Sequence, residues 1–117
     1  MSTPAKQDIT VYQGQTFVQP LVWKDNAQTP INLTGFTARL QIRRNVRSPD
    51  VLHSMTTENG GITLGDLFGT IELTIPAATS SLFAFRSAVY DLELIAPGGA
   101  VTRLMEGEVT VSPEVTR

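Results

Sequence analysis

The stretch FTARLQIR, at residues 36–43, decides the fold class of this chain. Its even-numbered residues, from Phe36 to Ile42, are apolar, and its odd-numbered residues are polar. Successive side chains of a β-strand point to opposite faces, so a strand gathers the apolar residues on one side, whereas a helix would scatter them around its circumference. The stretch is therefore predicted to be a β-strand with one buried face.

The same alternation returns along the chain, with turn-forming residues between its occurrences. Residues 70–75 and 90–94 repeat it, and the Pro-Gly-Gly sequence at 97–99 is typical of a hairpin tip. Gly107, in the second arm of that hairpin, is predicted to form a β-bulge. The predicted strands are residues 8–12, 16–24, 36–44, 51–56, 62–64, 70–75, 88–96 and 100–112.

One segment interrupts the alternation. Pro76 is followed by small residues, which favours one short helical turn near residues 77–82. Short strands with frequent turns predict an all-β fold, an Ig-like antiparallel β-sandwich of about seven to eight strands. The length of 117 residues predicts a single domain, 1–117, with flexible tails at residues 1–6 and 113–117.

Three residues have predicted structural roles. Gly35 is expected to turn the chain into the strand that follows it, and Leu33 is expected to plug the end of the core. Trp23 follows Phe17 and Leu21 at period 2, which favours packing in the core. An exposed Trp23 would instead favour stacking on a carbohydrate.

Composition restricts the possible functions. The chain has no cysteine and a single histidine, His53, so thiolate chemistry and cysteine-ligated metals are excluded and general bases are scarce. His53 is predicted to be a surface or edge side chain, and no phosphate-binding loop precedes a helix. The net charge of −2 and the lack of a long apolar segment or export signal predict no nucleic-acid or membrane partner. We expect a protein made in the cytoplasm, with no enzymatic activity, cofactor or metal.

Two groups of charged residues are the candidate functional residues. Four arginines lie within nine positions, and two pairs of acids project from single faces of two strands that are expected to pair. Because arginine pairs bidentately with carboxylates, the basic strand of one copy could dock on the acidic face of a neighbour. Solvated faces are the other interpretation, and the acids lack the spacing of an EF-hand calcium site. The candidate interface residues are Arg39, Arg43, Arg44, Arg47, Asp91, Glu93, Glu106 and Glu108.

Several short segments, in this order and spacing, resemble a family of tailed-phage virion proteins. They are GQTF at 14–17, PINLTGF at 30–36, YDLE at 90–93 and GEVTVSPEVT at 107–116, together with the arginine-bearing strand. The family consists of small β-sandwich domains in tail-fibre-associated collar proteins and, more distantly, at the N-terminus of siphophage upper baseplate proteins.

The resemblance implies a structural virion protein that is assembled in the host cytoplasm. Its expected role is an oligomerising tail, collar or adaptor subunit that anchors fibres, with copies of itself and other phage structural proteins as partners. The chain lacks the extension of the upper baseplate proteins, which favours a short collar, adaptor or decoration subunit. A capsid decoration or head-fibre attachment protein is the alternative within the virion, and a carbohydrate-binding module is the alternative from another class.

Overall fold

The computed structural model describes residues 4–116, which form two β-sheets around one hydrophobic core. Alternating segments become strands because a pleated backbone can bury one apolar face and leave the other in water. The described residues contain nine strands, one α-helical turn and one 3-10 turn. Their bounds are β1 (Ala5–Lys6), β2 (Ile9–Tyr12), β3 (Phe17–Val22), β4 (Thr37–Arg43), β5 (Val51–Thr56), β6 (Ile62–Gly65), the 3-10 turn (Asp66–Phe68), β7 (Thr70–Ile75), α1 (Ala77–Ser80), β8 (Ser87–Ile95) and β9 (Val101–Ser112).

The two sheets form the layers of a sandwich. The larger sheet has the strand order β1-β9-β8-β4-β5, with β2 also beside β9, and the smaller sheet has the order β3-β7-β6. The prediction of an all-β sandwich is confirmed, as are the helical turn and the hairpin that joins β8 to β9. Its description as antiparallel is wrong at one edge, because β1 and β2 run parallel to β9.

The N-terminal residues form more structure than the sequence predicted. Residues 5 and 6 form β1 beside Met105 and Glu106, so this part of the predicted tail is a strand and the strand count rises to nine. At the other terminus, the backbone N–H of Glu114 donates to the side chain of Gln13, at 2.9 Å. Residues 1–3 and 117 of the predicted tails lie outside the described residues.

The core lies between the inward faces of the two sheets. The predicted alternation is confirmed in β4, β7 and β8, where every second residue is buried. Each buried apolar residue exposes 7% or less of its surface. These residues are Ile9, Val11, Leu33, Ala38, Leu40, Ile42, Met55, Ile62, Ile71, Leu73, Ile75, Phe83, Phe85, Ala88, Tyr90, Leu92, Leu94, Met105, Val109 and Val111.

The connector before β4 closes one end of this core. Leu33 is 1% exposed, and its carbonyl accepts the N–H of Phe36 at 2.9 Å across a tight turn. Gly35 has a φ of 82°, a left-handed conformation that favours glycine. Trp23 is half-buried and meets the ring of Phe36 edge-on, with ring centroids 6.1 Å apart. The predicted roles of Leu33, Gly35 and Trp23 are confirmed.

Gly107 has a different role from the predicted one. The pairing of β8 with β9 shifts register where Leu92 faces Met105 and Glu93 faces Arg103, so the bulge lies at Leu104. A Cβ atom on Gly107 would overlap the backbone carbonyl of Gln7, which shows that glycine lets the N-terminal segment cross close to β9.

Tyr90 also holds the N-terminal segment in place, at Gln7. Its side chain is buried, and its hydroxyl donates a hydrogen bond to the carbonyl oxygen of Gln7. Burial, with the Asp8 carboxylate as a smaller cause, raises the pKa of Tyr90 to about 12, so the hydroxyl keeps its proton at neutral pH. Asp8 in turn accepts the backbone N–H of Glu108 at 2.9 Å.

Two outer strands carry features that hinder pairing with another chain. Beside β5, the side chain of Asn59 accepts the N–H of Thr56 at 2.9 Å and donates to the carbonyl of Ser54 at 3.1 Å. These are the groups that a further strand would use. In β3, an outer strand of the smaller sheet, Pro20 has no N–H to offer. The faces and loops of the sandwich are therefore better placed than these two edges to contact partners.

Candidate functional site

The outer face of the larger sheet forms a concave charged groove of about 540 Å³. The floor consists of outward side chains of β8 and β9, among them Val89, Asp91 and Glu106. Lys6 lies on one side and Arg43 on the other, because β1 and β4 flank the two central strands. We call this surface the charged groove.

Ion pairs within the chain run across this face. Arg39 is the register partner of Glu93, and their side chains meet at 2.7 Å between Nε and Oε1. Lys6 lies opposite Glu106 and reaches its Oε2 at 2.8 Å. Arg103 lies 3.5 Å from both Asp91 and Glu106. Exposed ion pairs of this kind add little stability because water and salt screen them, so the network neutralises the face more than it stabilises the fold.

The pKa directions agree with the pairing of Lys6 and Glu106, whereas burial outweighs the ion pair at Asp91. The hydrogen bond from Lys6 is the largest cause that lowers the pKa of Glu106, and the same bond raises the pKa of Lys6. Burial, followed by the neighbouring Glu93 carboxylate, raises the pKa of Asp91. Glu106 is therefore held in its ionised form, as a partner of cations rather than as a proton donor.

The four candidate arginines divide into two groups. Arg39 is paired with Glu93, and Arg43 donates to the carbonyl of Ser48 at 2.7 Å and to the side chain of Gln41 at 2.9 Å. Arg44 and Arg47 are exposed and make no side-chain hydrogen bond or ion pair with the rest of residues 4–116. They belong to residues 44–50, the connection between β4 and β5, which we call the arginine loop.

The structure thus places Arg39 and Arg43 beside the acidic strand β8 of the same chain, whereas Arg44 and Arg47 lie in the arginine loop. No local sequence pattern indicates this arrangement, because the pairing of β4 with β8 joins residues that are far apart in the chain. Among the eight candidates, the charges without an ion pair in the described residues belong to Arg43, Arg44, Arg47 and Glu108.

The outer face of the smaller sheet was not singled out by the sequence and differs sharply from the charged groove. Glu72 is the one charged residue in β3, β6 and β7, and the remaining outward side chains are valine, proline and threonine. Residues 17–22 contain a signal of this apolar outer face. Their even-numbered residues are all apolar, and so are most of the odd-numbered residues. We call this surface the Val-Thr face: Val18, Pro20, Val22, Thr63, Thr70, Glu72 and Thr74.

His53 lies on β5, an outer strand, as predicted, but its ring turns toward the interior. It is half-buried opposite Ile42, and its centroid lies 5.3 Å from that of Phe83. Burial lowers the pKa of His53 below its usual value of 6.5. The ring therefore packs as a neutral side chain at neutral pH.

This packing makes stability depend on pH. As the pH falls below 6.5, the unfolded chain binds a proton at His53 before the folded chain does, so stability is lost until the folded pKa is passed. A His53→Leu variant should lack this contribution. Denaturant midpoints at pH 7.5 and 5.5 should therefore fall further for the wild type than for the variant. Equal falls in the two proteins would contradict a depressed pKa at His53.

The chain matches no known family model and no curated protein sequence. Within residues 4–116, no helix is long and apolar enough to cross a membrane. The same residues contain no cluster of three or more histidine, aspartate or glutamate side chains placed to hold a metal ion. The geometry therefore offers two surfaces, the charged groove and the Val-Thr face, and the arginine loop as a third exposed element.

Proposed function

We propose that the chain is a structural subunit of a tailed-bacteriophage virion, an oligomerising tail, collar or adaptor protein that anchors fibres or neighbouring proteins. The observation that carries the proposal is the placement of the segments that resemble the virion family. The YDLE segment lies in β8 and most of the GEVTVSPEVT segment lies in β9, the neighbouring strand, where Tyr90 of the first pairs with Gly107 of the second. The PINLTGF connector supplies Leu33, which is buried in the same core.

The chemistry of the described surfaces supports a role without catalysis. A glycosidase needs one carboxyl group that keeps its proton, but Glu93 and Glu106 pair with cationic side chains. Burial raises the pKa of Asp91, and Arg103, 3.5 Å away, acts in the opposite direction and favours the ionised form. His53 packs against Phe83 rather than beside a nucleophile. A subunit that works by contact alone requires a rigid frame and exposed surfaces, and both are present.

Within the virion, a capsid decoration or head-fibre attachment protein would use the same fold and surfaces. The carbohydrate-binding alternative depended on an exposed aromatic platform at Trp23. That ring is half-buried and packs on Phe36, so this observation favours the structural subunit.

Mass spectrometry of purified particles tests the proposal. Peptides of this chain should be present in virions produced from the genome that encodes it, at a copy number that is a multiple of the tail symmetry. Antibody labelling of the particles should then separate a tail or collar position from the capsid surface. Absence of the chain from particles in which the other structural proteins are detected would refute a virion role.

A further inference from the structure

The Val-Thr face has the composition of an interface core. Val18 and Val22 each expose 51% of their surface, and Pro20 lies between them on the same strand. The cores of protein interfaces are depleted of charged residues, whereas the outer face of the larger sheet is crowded with them. The Val-Thr face is therefore the better candidate for a contact with another protein.

Glu72 restricts what can cover this face. It lies at the centre, opposite Pro20 on one side and Thr63 on the other, and it has no ion pair within the described residues. Removal of an ionised carboxylate from water is costly unless a cation accompanies it. A partner that covers the face must therefore bring an apolar contact and a positive charge together.

The arginine loop presents this combination. Val46 exposes 86% of its surface and lies between Arg44 and Arg47, neither of which has an ion pair in residues 4–116. The loop is held by its own hydrogen bonds: the Asn45 side chain accepts the N–H of Arg47 at 3.0 Å, and Arg43 binds the carbonyl of Ser48 at 2.7 Å. A loop ordered in advance loses less conformational entropy when it binds.

We propose that the arginine loop of one copy docks on the Val-Thr face of a second copy. Val46 then packs against Val18 and Val22, and a loop arginine pairs with Glu72. This inference rests on the proposed function, since it names the contact that joins the subunits. It replaces the predicted docking on the acidic strands, whose carboxylates are mostly paired within the chain.

The geometry makes this contact head-to-tail. The loop lies beside the charged groove on the larger sheet, where Val46 is one of the lining residues, whereas the Val-Thr face is the outer side of the smaller sheet, with the core between the two sheets. Each copy therefore offers one loop and one face to two different neighbours. Such a heterologous contact closes into a ring when the rotation between copies allows it. A loop that docks on a small face buries a limited area. Closure of a ring strengthens the assembly, because each copy then makes two such contacts.

Charge exchange tests the contact by sedimentation velocity over a range of concentrations. The wild type should form species heavier than the 12.7 kDa monomer, and added salt should weaken them. Glu72→Arg alone, and Arg44→Glu with Arg47→Glu, should each weaken association by about tenfold or more. The triple variant restores opposite charges across the contact and should assemble again. Glu58→Arg, at an exposed acid outside the face, is the matched control and should assemble as the wild type does.

The outcomes separate this inference from the proposed function. If the wild type assembles and both reversals assemble equally well, the contact lies elsewhere, while an oligomeric subunit remains. A wild type that stays monomeric up to about 1 mM overturns the contact between copies, and the virion composition then decides the structural role independently. Circular dichroism and thermal unfolding of every variant exclude loss of the fold as the cause.

Discussion

Replacement of Gly107 by alanine is expected to lower the free energy of unfolding by about 3 kcal/mol, the upper part of the usual range for overpacking. The added Cβ would overlap the backbone carbonyl of Gln7, which cannot move aside as a flexible side chain would. Displacement of Gln7 also breaks its hydrogen bond with the Tyr90 hydroxyl. Chemical denaturation measures the change.

Gly98→Ala is the matched control for this substitution. Gly98 lies at the tip of the β8–β9 hairpin, and a Cβ there would meet nothing within 4 Å. The free energy of unfolding of Gly98→Ala should stay within about 0.5 kcal/mol of that of the wild type. Hydrogen exchange adds a second measurement. In Gly107→Ala the amides of β1 and β2 should lose protection first, because both strands join the larger sheet by pairing with β9, where the added Cβ lies. Equal stability of the two variants would show that the N-terminal crossing is not tightly packed.

Leu33→Ala is expected to destabilise the protein by about 3 kcal/mol, because the removed methyl groups leave a cavity at the end of the core. Leu33 is 1% exposed, and its backbone N–H is fixed by a hydrogen bond to the carbonyl of Asp66 at 2.6 Å, so the connector has little freedom to collapse into the space. For a domain of this size, the melting temperature should fall by about 10 °C or more. Differential scanning calorimetry checks the value.

Leu82→Ala provides the comparison, since it makes the same chemical change at a side chain that is 80% exposed. Its melting temperature should differ by no more than about 2 °C, as for other surface substitutions. If Leu33→Ala were as mild as Leu82→Ala, the connector would be able to repack, and its role in closing the core would be lost.

Sequence patterns predicted those parts of the fold that depend on interactions between residues close together in the chain. The strand at β4 and the tip at 97–99 were predicted because alternation and turn chemistry act within a few residues. The two-residue strand β1 was missed because a segment so short has no periodicity, and its pairing partner in β9 lies about a hundred residues away. The position of the bulge was missed for a related reason: cross-strand register, rather than the glycine at 107, places it at Leu104.

The candidate site likewise combines features that the local sequence predicts with features that depend on the arrangement of the strands. The acids and arginines were correctly identified as surface residues, but their relation depends on which strands are neighbours. Arg39 and Glu93 are partners only because β4 lies beside β8, an order that no local pattern reveals. Alternation with Phe17 and Leu21 already put Val18 and Val22 on the outer side of β3, but the Val-Thr face was missed because it also depends on the pairing of β3 with β7.

The side chain of Asn59 has a consequence for the protein at high local concentration. Copies of a β-domain at high concentration bring many sheet edges close together, which favours the growth of continuous intermolecular sheets and, eventually, amyloid. The amide of Asn59 already occupies the carbonyl of Ser54 and the N–H of Thr56 on the outer strand β5, so these two groups are not open to a neighbouring backbone. Asn59 therefore acts as a local guard against intermolecular strand addition at this part of β5.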